Sequence, residues 1–213
     1  AIYYAANNGA DIINLSLGFT PSIETQYGSL KNLYPLTFNE WISGNQSLYN
    51  YFYEAFKYAA DKGVFIVASI GNDGHFEGQY PGSGNTSKYT SIPADFSSVI
   101  PGMMSVVALN NKGDKSDYSQ YGSLASIAAP GGEGSGPAGI LSTVSRNSSL
   151  SIDSNVGNGY GYMSGTSMAA PIVAGAAALL LGKDPNLTPV EIKNILIQGS
   201  YNVRDLEGVV PNG

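Results

Sequence analysis

Two apolar runs organise the first third of the chain. Ile12-Ile13-Asn14-Leu15-Ser16-Leu17 reads as a buried strand, and Val64-Phe65-Ile66-Val67-Ala68-Ser69 as a second, almost wholly apolar one. Between them the period changes. Phe52, Ala55, Phe56 and Ala59 stand at i, i+3, i+4 and i+7 spacing, which predicts a helix over 48–62 closed by Gly63. A short helical stretch over 1–8, ending at Gly9, precedes the first strand. Near-continuous apolar strands separated by helices predict an α/β fold with a parallel sheet covered on both faces.

The second half continues the alternation. Strands are predicted over 103–109, 126–129 and 140–144, joined by turn-rich segments at 110–114 and 131–137. A helix rich in Ala and Gly is predicted from near Ser167 to about Leu181. The last helix is the best signalled. Thr188 is its N-cap, Pro189 occupies N1, Glu191 at N3 completes a capping box, and Gly199 ends it. Residues 19–47 are the largest irregular segment, with Phe19, Tyr27, Tyr34, Phe38 and Trp41 spread through it. They read either as a surface excursion with its own small apolar cluster or as a wall of a cleft, since the segment leaves a strand end at Gly18. No internal repeat or interdomain linker interrupts the pattern, so 1–213 reads as one domain.

Composition narrows the function classes. Hydrophobic residues make up 43% of the 213, charged residues only 12%, and the net charge is −6. No basic block exists, which argues against a nucleic-acid partner. The longest apolar stretch, near 176–181, is too short for a membrane span, so no membrane partner is expected. The absence of cysteine excludes disulfides and thiolate metal sites. Many Tyr, Asn, Ser and Gly with few Lys and Glu suggest a secreted surface. The two ends read as cut from a longer sequence: 1–9 looks like the second half of a helix, and the chain stops soon after the apolar pair Val209-Val210.

Three segments could carry chemistry. Gly165-Thr166-Ser167-Met168-Ala169-Ala170-Pro171 sets a serine at the start of an apolar helix. A serine there is often an N-cap. It is also well placed as a nucleophile, because the free N–H groups and dipole of a first turn favour negative charge. Pro171 is expected within that first turn, where its missing N–H costs no helical bond. Asn72, in Ser69-Ile70-Gly71-Asn72-Asp73-Gly74 after the second strand, is either a turn residue or an amide donor aimed at an oxyanion. Ser16-Leu17-Gly18, at the end of the first strand, could pair with an extended peptide. A serine needs a base to become nucleophilic. The one histidine, His75, lies in a glycine-flanked loop with nothing to orient it, and reads as a rim residue rather than the base.

These three segments, in this order, resemble the subtilisin-like serine proteases, the subtilases. Residues 9–18 look like the family's substrate-binding strand, 68–74 its oxyanion-asparagine segment, and 164–171 its nucleophile signature. Weaker likenesses lie at 92–94, 116–122 and 128–131. The resemblance covers nearly the whole chain except 19–47, which looks like an insertion. It implies a three-layer α/β/α fold with a mostly parallel central sheet, incomplete at its N-terminal side. It implies Ser167 as nucleophile and Asn72 as oxyanion donor. It places Ser16, Leu17 and Gly18 along the substrate backbone, and Gly71 and Asp73 around the pocket for the residue preceding the scissile bond. An acidic Asp73 at that rim would admit a basic residue.

The family order is Asp, His, Ser. No Asp-Thr/Ser-Gly or His-Gly-Thr run occurs here, so the resemblance puts both partners upstream of this chain and makes the 213 residues alone inactive. An upstream half of the domain or a propeptide is then an expected partner, beside polypeptide substrates. No cofactor is expected for catalysis. Structural calcium is compatible with the family, with no acidic cluster specific enough to name ligands. An α/β-hydrolase would need a histidine after the serine, and none follows Ser167. A sedolisin-type protease would carry an acidic residue where Asn72 stands. The alternative left open is a non-catalytic subtilase-like binding module that has lost its upstream Asp or His.

Overall fold

The computed structural model describes residues 1–27, 30–74, 84–86, 88–145, 159–202, 206 and 208–211, with the backbone alone described for 22–27 and 30–35. Helix α1 (Ile2–Asn7) leads into strand β1 (Ile12–Leu15) through Gly9, whose φ of +81° suits the turn. The long helix α3 (Gln46–Asp61) returns the chain to β4 (Phe65–Ser69), which pairs parallel with β1 from Ile12↔Phe65 to Leu15↔Ala68. Strand β5 (Met103–Leu109) pairs parallel with β4, and β6 (Ile127–Pro130) with β5. The sheet order is β1-β4-β5-β6.

Alternate strand residues feed two cores. Ile66, Ala68, Met103 and Val107 face a cluster containing Phe56 and Ala59 of α3. Phe65, Val67, Met104 and Val106 face a second cluster with the C-terminal helices α4 (Thr166–Lys183) and α5 (Pro189–Gln198). A strand's side chains alternate between faces, so both faces of a sheet this apolar must be covered. The result is the expected three-layer α/β/α arrangement around a parallel sheet.

Three expectations need correction. Residues 19–47 are not irregular. They form a hairpin, β2 (Ser22–Tyr27) paired antiparallel with β3 (Leu30–Pro35), followed by helix α2 (Phe38–Gly44). The α2 start is a capping box: Thr37 N–H donates to Glu40 Oε2 at 2.9 Å, and Glu40 N–H donates to Thr37 Oγ1 at 3.3 Å. Nor do Phe38 and Trp41 form a separate surface cluster. Trp41 is 2% exposed, and Phe38, Trp41, Tyr49, Phe52 and Phe56 gather around Phe96 at centroid distances of 5.2–6.2 Å.

The strand expected over 140–144 lies outside the central sheet. There β7 (Ile140–Thr143) pairs antiparallel with β8 (Tyr160–Met163). Its side chains are mostly exposed, unlike those of a buried parallel strand. Helix α4 also exceeds the apolar stretch read from the sequence: its 18 residues are long and apolar enough, by length and composition alone, to cross a membrane. Ala169, Ala170, Val173 and Ala177 of that helix are buried against the sheet.

Asp95 is the buried carboxyl of this core. It sits in a short 3-10 turn, Ala94–Ser98, at 1% exposure. Its Oδ2 accepts from Thr90 Oγ1 at 2.6 Å and Ser91 N–H at 2.8 Å, and Oδ1 has no partner among the described residues. Burial, only partly offset by those two bonds, raises its pKa from 3.8 to about 7. Unfolded, Asp95 releases its proton near pH 3.8, whereas folded it holds the proton until about 7. Its contribution to stability is therefore full below the lower value and lost as pH rises through the upper one, by about 4 kcal/mol in all. Asp95→Asn should flatten that slope, so that urea midpoints of variant and wild type diverge between pH 4 and 8 in the variant's favour. Parallel profiles would count against it.

Candidate active site

Ser167 stands at the N-terminus of α4. Gly165, not Ser167, occupies the N-cap and has no side chain with which to cap; Thr166 and Ser167 are the helix's first two residues. The N–H of Ser167 has no carbonyl one turn back within the helix and points out of its positive end. Pro171 lies one step deeper than expected, in the helix interior. Its absent N–H would have bonded the Ser167 carbonyl, four residues back. That carbonyl accepts from Ser16 Oγ at 2.7 Å instead. The Ser167 hydroxyl donates to the Ser16 carbonyl at 3.2 Å, so strand end and helix start exchange hydrogen bonds.

Asn72 reaches the same point from β4. Its Oδ1 accepts from Thr166 N–H at 3.0 Å and from Thr166 Oγ1 at 2.9 Å. Thr166 Oγ1 in turn accepts from Gly71 N–H at 3.3 Å. Two donors on Oδ1 fix which way the planar amide faces. Asn72 Nδ2 then lies beside Gly165, 3.7 Å from where a Cβ would stand there. Amide N–H groups and the helix N-terminus thus sit together, the donor set an oxyanion requires. Gly71 is required twice over: its φ is +115°, and a Cβ would fall 1.9 Å from Gln120 Oε1.

The segment after β1 forms the facing wall. Leu17 is 62% exposed. Gly18 passes so close to the next segment that a Cβ would lie 2.7 Å from the Ile92 carbonyl oxygen. Phe19 and Ile92 pair antiparallel through N–H···O bonds of 2.9 and 3.0 Å. The Thr20 hydroxyl donates to the Asp73 carboxylate. Between these walls lies a cleft of about 500 Å³, whose lining includes Leu17, Gly18, Gly71, Asn72, Asp73 and Ser167. Ser16 joins it through its exchange with Ser167.

All seven residues singled out from the sequence therefore meet at one cleft. Thr166, Thr20 and Ser91 also line or brace it and were not singled out. Thr166 lies inside the Gly165-Thr166-Ser167 run and could have been found there; Ser91 carries no local signal. Phe19 and Thr20 line the cleft too, so the start of 19–47 takes the cleft-wall reading. His75 lies outside the described residues. Among those described, no group of three or more Asp, Glu or His gathers as a metal site.

Residues 1–209 match the subtilase family. The chain belongs to that family. Among its relatives, subtilisin DY from Bacillus licheniformis is 32% identical over 96% of this chain and 54% of its own length. A thermophilic serine proteinase from Bacillus sp. strain AK1 is 33% identical over 93% of this chain and 34% of its own. The solved structure of fervidolysin from Fervidobacterium pennivorans, a keratinolytic enzyme related to subtilisin, superposes with a TM-score of 0.61 at 30% identity. It covers 94% of this chain and 24% of the fervidolysin chain. The subtilase chain described here thus spans about half the length, or less, of these relatives.

Gly71→Ala tests the crowding at this subtilase cleft. Unfavourable φ and the overlap with Gln120 together should cost about 1–3 kcal/mol, read as a lowered urea midpoint. A neutral substitution would mean that the loop relaxes freely.

Proposed function

We propose that the protein carrying this chain is a secreted serine endopeptidase acting on polypeptides through Ser167. The observation that supports this most is the meeting of Asn72 and the α4 N-terminus in one cleft, joined by the two bonds from Thr166 to Asn72 Oδ1. Family membership supports the reaction class.

In this reading a histidine upstream of the chain takes the Ser167 proton, oriented by an upstream aspartate. Ser167 Oγ bonds to the peptide carbonyl carbon, and the C=O electron pair moves onto oxygen. Asn72 Nδ2–H and Ser167 N–H donate to that oxyanion. The intermediate collapses, the C–N bond breaks, and the histidine returns the proton to the leaving amine. Water then hydrolyses the acyl-enzyme by the same route. Ser16, Leu17 and Gly18 pair with the substrate backbone, and Gly71 and Asp73 border the pocket for the residue before the scissile bond. No cofactor enters any step, and calcium, if bound, is structural. An upstream half of the domain or a propeptide completes the enzyme.

Ser167→Ala in the full-length protein should abolish peptide hydrolysis; activity near wild type sinks the assignment. Asn72→Ala should lower kcat by about 10²–10³ with little change in KM, the loss seen when the equivalent donor is removed from a subtilisin. An unchanged kcat removes Asn72 from the role. The 213 residues alone should react with a fluorophosphonate slowly or not at all, since the Ser167 hydroxyl donates to a backbone carbonyl rather than to a base. Rapid labelling would show that a base lies within the chain.

A further inference from the structure

Behind the cleft wall lies a carboxyl that the proposed chemistry does not use. Ser91 lines the cleft, and its hydroxyl comes within 3.1 Å of the Cβ position at Gly71. Ile92, the next residue, pairs with Phe19 and crowds Gly18. The stretch 90–92 is therefore the point where the walls from β1 and β4 touch. It is irregular backbone, outside any strand or helix. What fixes it is a set of directed bonds. Thr90 N–H donates to the Leu36 carbonyl at 2.6 Å, and Asp95 N–H donates to the Ser91 carbonyl at 2.9 Å. In return Asp95 Oδ2 accepts both Thr90 Oγ1–H and Ser91 N–H.

We propose that Asp95 is a positioning residue for substrate binding: its buried carboxyl oxygen holds the Thr90–Ser91 backbone so that Ser91 and Ile92 form the cleft wall. Asp95 touches no reacting atom and acts only through that backbone. One oxygen serves two donors on adjacent residues, which fixes both the position and the tilt of the Ser91 peptide. Buried groups with directed bonds hold irregular backbone more sharply than apolar contact does. The raised pKa fits this placement, because a carboxyl kept in the core for packing alone would be more stable as an apolar residue. Either protonation state leaves Oδ2 as an acceptor, so an amide oxygen at the same place can do the same work.

The inference rests on the protease reading, and one kinetic series tests each separately. Steady-state hydrolysis of a fluorogenic tetrapeptide amide is measured with the full-length protein and its Asp95→Ala, Thr90→Val and Asp95→Asn variants, each checked for folding by thermal unfolding. Thr90→Val is nearly isosteric and guards against the loss of fold that Asp95→Ala could cause. Asp95→Ala and Thr90→Val should raise KM about tenfold, the equivalent of one lost directed bond at the wall, with kcat changed less than about twofold. Asp95→Asn should keep KM within about twofold of wild type. Folded Thr90→Val with unchanged KM overturns the positioning role, as does Asp95→Asn behaving like Asp95→Ala. A fall in kcat with constant KM, tracking lost folded protein, marks a purely structural residue and also overturns it. Absence of hydrolysis by the unaltered protein sinks the protease reading and this inference together.

Discussion

The junction between Thr166 and Asn72 is the constraint on which the rest of the cleft depends. β4 and α4 are separated by nearly a hundred residues, yet a backbone N–H and a hydroxyl from one turn converge on a single amide oxygen from the other. That fixes the amide's orientation and, through it, the face on which negative charge is favoured. Thr166 is buried, so solvent does not compete for those bonds. The sheet supplies the rigidity. β4 is buried along its whole length, and a loop leaving such a strand starts from a fixed point.

Much of the scaffold was legible because burial writes itself into composition. The apolar run at 64–69 became the fully buried β4, and the capping box at Thr188 started a helix; the run at 12–17, read as a buried strand, became β1 at the edge of the described sheet, with Asn14 exposed. The same Thr-x-x-Glu signal at Thr37, followed by Phe38, Trp41 and Ile42 at i, i+3 and i+4, went unread because the helix it opens closes within two turns at Gly44. The α2 helix is short, and Trp41 and Phe38 join a cluster whose other members come from α3 and from Phe96. Aromatic contacts between residues far apart in sequence leave no periodic trace. The strand at 140–143 was legible as a strand but not as a member of its hairpin, because a short apolar stretch does not say which sheet it joins.

The candidate site shows a similar division. Ser167, Asn72 and Gly71 stand in runs whose chemistry is local, and the fold brings them together where the order of strands and helices implies. Ser91 and Thr20 have no such runs. They enter the cleft only because Phe19 pairs with Ile92 and the segment that follows Gly18 crosses toward Asp73. Pro171 marks the limit of positional reasoning. With Ser167 as cap or inside the helix, the N–H missing at Pro171 is the one that would have reached the Ser167 carbonyl, so the expectation that it costs no helical bond overlooked the residue four back.

That carbonyl, left without a helical donor and bonded by Ser16 instead, links two things usually treated apart. Ser16 and Ser167 each give the other's backbone a hydroxyl proton, so the strand end and the helix start act as mutual placeholders. In the protease reading the Ser167 hydroxyl must turn away from Ser16 before it can surrender its proton to a base. In that reading the turn leaves the Ser16 carbonyl open to accept from an extended peptide. Docking of the chain to be cut and arming of the nucleophile become two halves of one exchange, with Pro171 keeping the helix from closing the vacancy itself.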